Sequence, residues 1–212
     1  MKNSYLIFYI DAKDLRNGYP KDSTLIKCSE CDTVSPLASV CPNCQSTKLS
    51  FTTLTCDDCI KSTKDEVVKL TKILTEDLGI HEESIKIFFS GNEGFHIYAP
   101  NSEYEQVGSK ERAEIADYIM FRGCIPETFG FKKFNMNKSS LPKFEDEGWN
   151  GRLAKHLYGK KSNRSKISQE IITGGYQLFQ KRLENYRESI GIRIDPNVTP
   201  VSYTHLKLPT KA

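Results

Sequence analysis

The chain has 212 residues, a net charge of +3, and charged and apolar fractions of 27% and 38%. That length supports one sizeable core, or one core with a small satellite, in a globular protein. No stretch approaches the roughly 20 apolar residues of a membrane helix, the N-terminus lacks a basic-then-apolar signal pattern, and so small a net charge names no partner.

The first element is a strand, Tyr5 to Ile10, rich in β-branched and aromatic residues. It ends at Asp11 in the loop Asp11-Ala12-Lys13-Asp14. Residues from about 22 to 60 have no long apolar period and hold three Cys-x-x-Cys pairs: Cys28/Cys31, Cys41/Cys44 and Cys56/Cys59. Two thiolates at this spacing aim at a common point, and two such pairs close a tetrahedral sulfur site for structural zinc. The first two pairs, separated by nine residues, form the natural local ribbon. Three pairs make one complete four-sulfur site with two thiols to spare. A reducing interior suits this metal reading better than disulfides and places the chain in the cytoplasm. The seventh cysteine, Cys124, reads as a buried apolar residue.

A helix is expected next, capped by Thr63 or Asp65, carrying Val67, Leu70, Ile73, Leu74 and Leu78 at helical spacing and ending at Gly79. Strands over Ile85–Phe89 and Phe95–Tyr98 follow, joined by the hairpin turn Ser90-Gly91-Asn92-Glu93-Gly94. A second helix runs from about Ser109 to Phe121. A third, from about Ser165 to Ser189, is kinked or split at Gly174-Gly175. A short strand, Ile192 to Ile194, leads to Asp195. Strand, helix, hairpin and helix on one sheet make an α+β (mixed α/β) fold, a small mixed sheet flanked by helices.

From Gly148 to Gln169 there is no acidic residue, while Arg152, Lys155, Lys160, Lys161, Arg164 and Lys166 fall in the window with Trp149, His156 and Tyr158 among them. Cations offset phosphate charge and aromatic faces stack on bases, so the window can track a nucleic-acid backbone; a solvated loop explains the composition equally well. Asp11 and Asp195, each closing an apolar strand, are candidate ligands for a shared hard cation, Mg2+ or Mn2+. Most strand-end aspartates cap turns instead. Ser90 and His96 flank a glycine-bracketed turn whose backbone can approach phosphate.

Taken together and in order, four segments resemble the small catalytic subunit of the archaeal and eukaryotic type of DNA primase over residues 5 to 199. They are Phe8-Tyr9-Ile10-Asp11-Ala12-Lys13-Asp14-Leu15, Phe89-Ser90-Gly91-Asn92-Glu93-Gly94-Phe95-His96-Ile97, Gly148-Trp149-Asn150-Gly151-Arg152-Leu153-Ala154 and Arg193-Ile194-Asp195-Pro196-Asn197-Val198-Thr199. The resemblance implies a primase catalytic fold with a zinc-binding insertion. It implies synthesis of short RNA primers from ribonucleoside triphosphates on a single-stranded DNA template for DNA replication, beside a large subunit and associated with the nucleoid. It assigns Asp11 and Asp195 as catalytic metal ligands for two-metal nucleotidyl transfer, and Ser90, His96, Arg193 and Lys207 as nucleotide contacts. It draws the last zinc pair from Cys56 and Cys59.

The chain departs from the family in four places. The first carboxylate of the family's Asp-x-Asp falls at position 9, where Tyr9 stands; a phenol with a pKa near 10 is a poor ligand for a hard cation. This predicts weak metal binding and poor polymerisation unless Asp14 takes over, and it keeps open an impaired, zinc-containing nucleic-acid-binding or scaffold subunit of the same fold. Asn92-Glu93 stands where relatives carry arginine. Residues 200–212 read as an atypical or truncated tail, and the catalytic domain, 1–199, as N-terminally truncated. A repair polymerase on the same fold is disfavoured by the knuckle insertion.

Overall fold

The computed structural model describes residues 5–15, 24–53, 57–91, 94–100, 103–132 and 141–200. Two three-stranded antiparallel sheets organise them. In the central sheet, β6 (Gly94–Ala99) lies between β1 (Leu6–Asp11) and β5 (Lys86–Phe89). In the knuckle sheet, β2 (Thr24–Cys28) lies between β3 (Val34–Pro36) and β4 (Leu49–Thr53). The helices are α1 (Asp57–Glu76), α2 (Ser109–Ile119), α3 (Gly148–Tyr158) and α4 (Arg164–Ile190). The fold is α+β, and every described ladder is antiparallel.

Alternation along β1 and β6 decides where the core sits. Leu6, Phe8 and Ile10 join Phe95, Ile97 and Ala99 on one face, all buried against Val67, Leu70, Ile73 and Leu74 of α1. The opposite face carries Tyr9, Asp11, His96 and Tyr98, each only partly buried. One side of the sheet is core, and the other presents polar groups.

Three expectations are corrected. Helix α1 starts at Asp57, several residues before the expected cap, because its buried stripe continues back through Thr63 and Cys59. Cys59 packs as a small apolar residue there, and Thr63 is the polar member of the stripe. Thr63 Oγ1 donates to the Cys59 carbonyl at 2.7 Å, which satisfies its hydroxyl inside the helix. Gly79 does end the helix region, with φ +67°.

The second correction is that the basic window is not a loop. Its first half is α3, with Trp149, Leu153, Ala154, Leu157 and Tyr158 buried at helical spacing. Gly151 is required there, since a Cβ would lie 2.0 Å from the Asp146 carbonyl oxygen. Third, Ile192–Ile194 joins no ladder among the described residues. Single backbone bonds hold it at both ends: Ile192 N–H to the Ile119 carbonyl at 3.2 Å, and Asp195 N–H to the Tyr9 carbonyl at 2.9 Å. The helix expected from Ser165 to Ser189 is α4, broken at Gly175 (φ 73°, ψ −170°).

Candidate active site and cysteine cluster

Strand register builds the polar face. Tyr9 pairs with His96 and Asp11 with Gly94, so the side chains at 9 and 96 stand next to each other across the ladder. Their rings stack, centroids 4.0 Å apart and planes 12° apart. The Tyr9 side chain also hydrogen-bonds Tyr98. Burial holds His96 below the ordinary imidazole value, against the opposing pull of the Asp11 charge. The imidazole is therefore neutral at neutral pH, with one ring N–H to donate.

Gly94 lets Asp11 sit where it does. A Cβ at that position would fall 2.1 Å from Asp11 Oδ1 and 2.4 Å from the Ile10 carbonyl oxygen. Ser90 closes the same hairpin: Gly94 N–H donates to Ser90 Oγ at 3.1 Å, and Ser90 N–H to the Gly94 carbonyl at 2.9 Å. Asn92 and Glu93 lie outside the described residues.

Directly after Asp11 the chain turns through a short 3-10 segment, Ala12–Asp14, with Ala12 buried. The surrounding protein desolvates the Asp14 carboxyl and raises its pKa; Lys13 partly offsets this, and the charges of Asp11 and Asp195 add to it. Asp195 reaches the same place because its N–H is tied to the Tyr9 carbonyl. Thr199 Oγ1, buried, donates to the Ile7 carbonyl at 2.9 Å and anchors the segment a second time. Asp195 Oδ1 accepts from Asn197 N–H at 2.9 Å and from Asn197 Nδ2 at 3.1 Å. Lys13 Nζ lies 3.5 Å from Asp11 Oδ2. Asp14 thus lies within reach of the charges of both Asp11 and Asp195, and hard oxygen donors of this kind suit a divalent cation, although among the described residues only the cysteines gather three or more ligand atoms close enough to share an ion.

Arg193 follows a different course. Its guanidinium pairs with Glu188 and its backbone N–H donates to Glu66 Oε2 at 3.3 Å. Glu66 is a neighbour that nothing in the sequence flagged. Lys207 lies outside the described residues. In the basic window, Arg152 is held by Asp77 Oδ2 at 2.5 Å and Glu76 Oε2 at 2.8 Å. Tyr118 OH donates to the same Asp77 oxygen at 2.8 Å. Lys161 pairs with Glu145 at 2.5 Å, and Arg164 lies 6.0 Å over the Tyr158 ring. Lys155, Lys160 and Lys166 are exposed. Acids distant in sequence thus neutralise part of a window that contains none of its own.

The cysteine cluster is compact. The sulfurs of Cys28, Cys31, Cys41 and Cys44 lie within 4.8 Å of one another, with Cys28–Cys44 at 3.5 Å and Cys31–Cys41 at 3.6 Å. Zinc with Zn–S bonds of about 2.3 Å places its tetrahedral sulfurs about 3.8 Å apart. The set fits zinc. Hydrogen bonding with Thr33 pulls the Cys31 thiol down to about 6. The Ser46 backbone lowers Cys44, but the sulfurs of Cys31 and Cys28 outweigh it and push the thiol up to about 12. Four sulfurs this close cannot all ionise without a cation between them. Cys59 is buried in the first turns of α1, away from this set, and Cys56 lies outside the described residues. Cys124 packs on the core, where burial raises its thiol to about 11.

The model of the family described as DNA primase small subunit matches residues 48–210. The chain belongs to the DNA primase small subunit family. A DNA primase small subunit PriS from Nitrosopumilus maritimus is 50% identical over 98% of this chain and 56% of its own length. The corresponding protein of Cenarchaeum symbiosum is 38% identical over the same shares. That of Methanococcoides burtonii is 32% identical over 58% of this chain and 34% of its own length. The chain therefore spans little more than half the length of its primase relatives. No described helix is long and apolar enough to cross a membrane.

Proposed function

We propose that the chain supplies the catalytic face of a DNA primase, joining ribonucleotides into short primers on a single-stranded DNA template inside the cell, with a large subunit as partner. The observation that carries this reading is the Asp195 N–H bond to the Tyr9 carbonyl, which ties the Asp195 backbone to the strand that bears Asp11. Asp11 and Asp195 would hold Mg2+ or Mn2+, with Asp14 beside them. Such a cation, when bound, activates the primer hydroxyl and offsets charge on the leaving pyrophosphate. The chain's own groups then orient the nucleotide. His96, neutral, presents a ring N–H to a phosphate oxygen rather than a second cation. Ser90 fixes the glycine turn so that its backbone can lie against the triphosphate. Arg193 is drawn toward Glu188 and would reach phosphate only by leaving that exposed pair. The knuckle would hold one zinc through Cys28, Cys31, Cys41 and Cys44, a structural role apart from the chemistry.

A second reading is favoured by one observation, the Tyr9–His96 stack. It fills the space of a metal ligand with two rings, as in a subunit that retains the fold and binds nucleic acid while polymerising poorly. Incorporation of labelled ribonucleotides on a single-stranded template with Mn2+, with and without the large subunit of a relative, separates the two. Incorporation that disappears in Asp195→Asn supports the primase reading. Strand binding without incorporation under every condition supports the scaffold.

A further inference from the structure

Away from the carboxylates, α1, α3 and the end of α4 enclose an open cavity of about 410 Å³. Lys69 and Lys72 reach it from α1, and Arg152, Lys155 and His156 from α3. Among the described residues that line it there is no acid, although Glu66, Glu76 and Asp77 pair with two of its cations. Its apolar side includes Ile73, Trp149 and Ile192. Only half of this arrangement was visible in the sequence, because the α1 lysines lie some 80 residues before Arg152 and Lys155.

The cations differ in state. Arg152 is clamped by Glu76 and Asp77, and Lys69 by Glu66 at 2.5 Å. Among the described residues neither Lys72 nor Lys155 has an ion pair. Two uncompensated ammonium groups from facing helices, beside a fixed guanidinium and an apolar wall, suit an anion attached to something flat or apolar. His156 Nε2, 3.2 Å from Ser189 Oγ, adds a polar group at the rim.

We infer that this cavity binds the phosphate backbone of single-stranded nucleic acid, with Lys72 and Lys155 as its contacts. Position favours a strand over a free nucleotide. Ile192, in the cavity wall, is three residues from Asp195, so the backbone between them spans at most about 10 Å. A continuous strand is long enough to cover that distance, whereas a single triphosphate bound at the carboxylates would leave the cavity to other ligands. The inference deepens the function proposed above, although its charge argument stands on the cavity alone.

Lys72→Ala/Lys155→Ala tests it, compared with wild type and with Lys61→Ala/Lys110→Ala, which removes the same charge from exposed positions elsewhere. Fluorescence anisotropy of a labelled oligothymidylate is followed from about 50 to 200 mM salt, the range over which counterion release changes affinity steeply. Loss of two phosphate contacts reduces the slope of log K against log salt by about 1.4, at about 0.7 per contact on single strands. The control pair leaves it unchanged. A cavity variant with the wild-type slope overturns the inference, as does an equal loss in the control. So does a variant that loses only ATP binding, which would assign the cavity to free nucleotides. Wild-type protein that binds no strand overturns both this site and the template role proposed above, whereas binding with an unaltered slope removes this site alone.

Discussion

Tyr9 and His96 face each other across the β1–β6 ladder with their rings stacked 4.0 Å apart. Residues two apart on a strand share a face, so Tyr9 points to the same side as Asp11. On the function proposed above, position 9 is where a second carboxylate would face the cation; the phenol there makes a ring contact with His96 instead. The same stack shields the imidazole, in keeping with the burial that lowers its pKa.

Tyr9→Asp should convert this wall into a ligand. Mn2+ affinity, read by electron paramagnetic resonance, should rise by about tenfold or more, and primer synthesis should increase with it. The lost ring pair should lower stability by about 1 kcal/mol in urea unfolding. Unchanged Mn2+ affinity would mean that position 9 does not face the cation.

In the metal-free protein, His96 should titrate below the ordinary value of about 6.5 by NMR. Asp11→Asn should move it lower still, because the Asp11 charge is what opposes the burial. The sign for stability follows. The fold binds fewer protons here than the unfolded chain, so the contribution is complete above about pH 6.5 and is lost as pH falls through the depressed folded value. A His96 signal that titrates above 6.5 would contradict the burial.

Gly94→Ala should disturb the site through sterics alone. Its Cβ meets Asp11 Oδ1 and the Ile10 carbonyl well inside contact distance, and backbone oxygen cannot move aside as a flexible side chain can. A loss of about 2 kcal/mol is expected, with weaker Mn2+ binding because Asp11 must shift. Wild-type stability would show that the hairpin is looser than its register.

Zinc should be present at one ion per chain by metal analysis. Cys41→Ser should lose it, and Cys59→Ser should retain it, since Cys59 is buried in α1 apart from the four clustered sulfurs. Loss of zinc from Cys59→Ser would move the ligand set to the last pair.

The sequence marked β1, the hairpin, α2, the α4 break and the cysteine ribbon because each depends on local signals: alternation, turn glycines, helical period, paired thiols. The start of α1 is hidden because Cys59 belongs to a Cys-x-x-Cys pair that reads as metal-binding and Thr63 is polar, yet both fill core positions. Helix α3 was masked by its own charge, although Trp149, Leu153 and Leu157 sit at helical spacing. What spacing within the window could not reveal was long-range pairing. Arg152, read alone, is available for phosphate, but Glu76 and Asp77 at the end of α1, some 75 residues earlier, hold it.

The most direct test of the account is a Mn2+ titration of wild type, Asp11→Asn, Asp195→Asn and the double variant. If the two carboxylates grip one ion, each single change weakens binding by about tenfold or more, and the double change costs clearly less than the sum of the two, as residues sharing a partner do. Strictly additive losses, or a single variant that binds Mn2+ as wild type does, would contradict a shared cation.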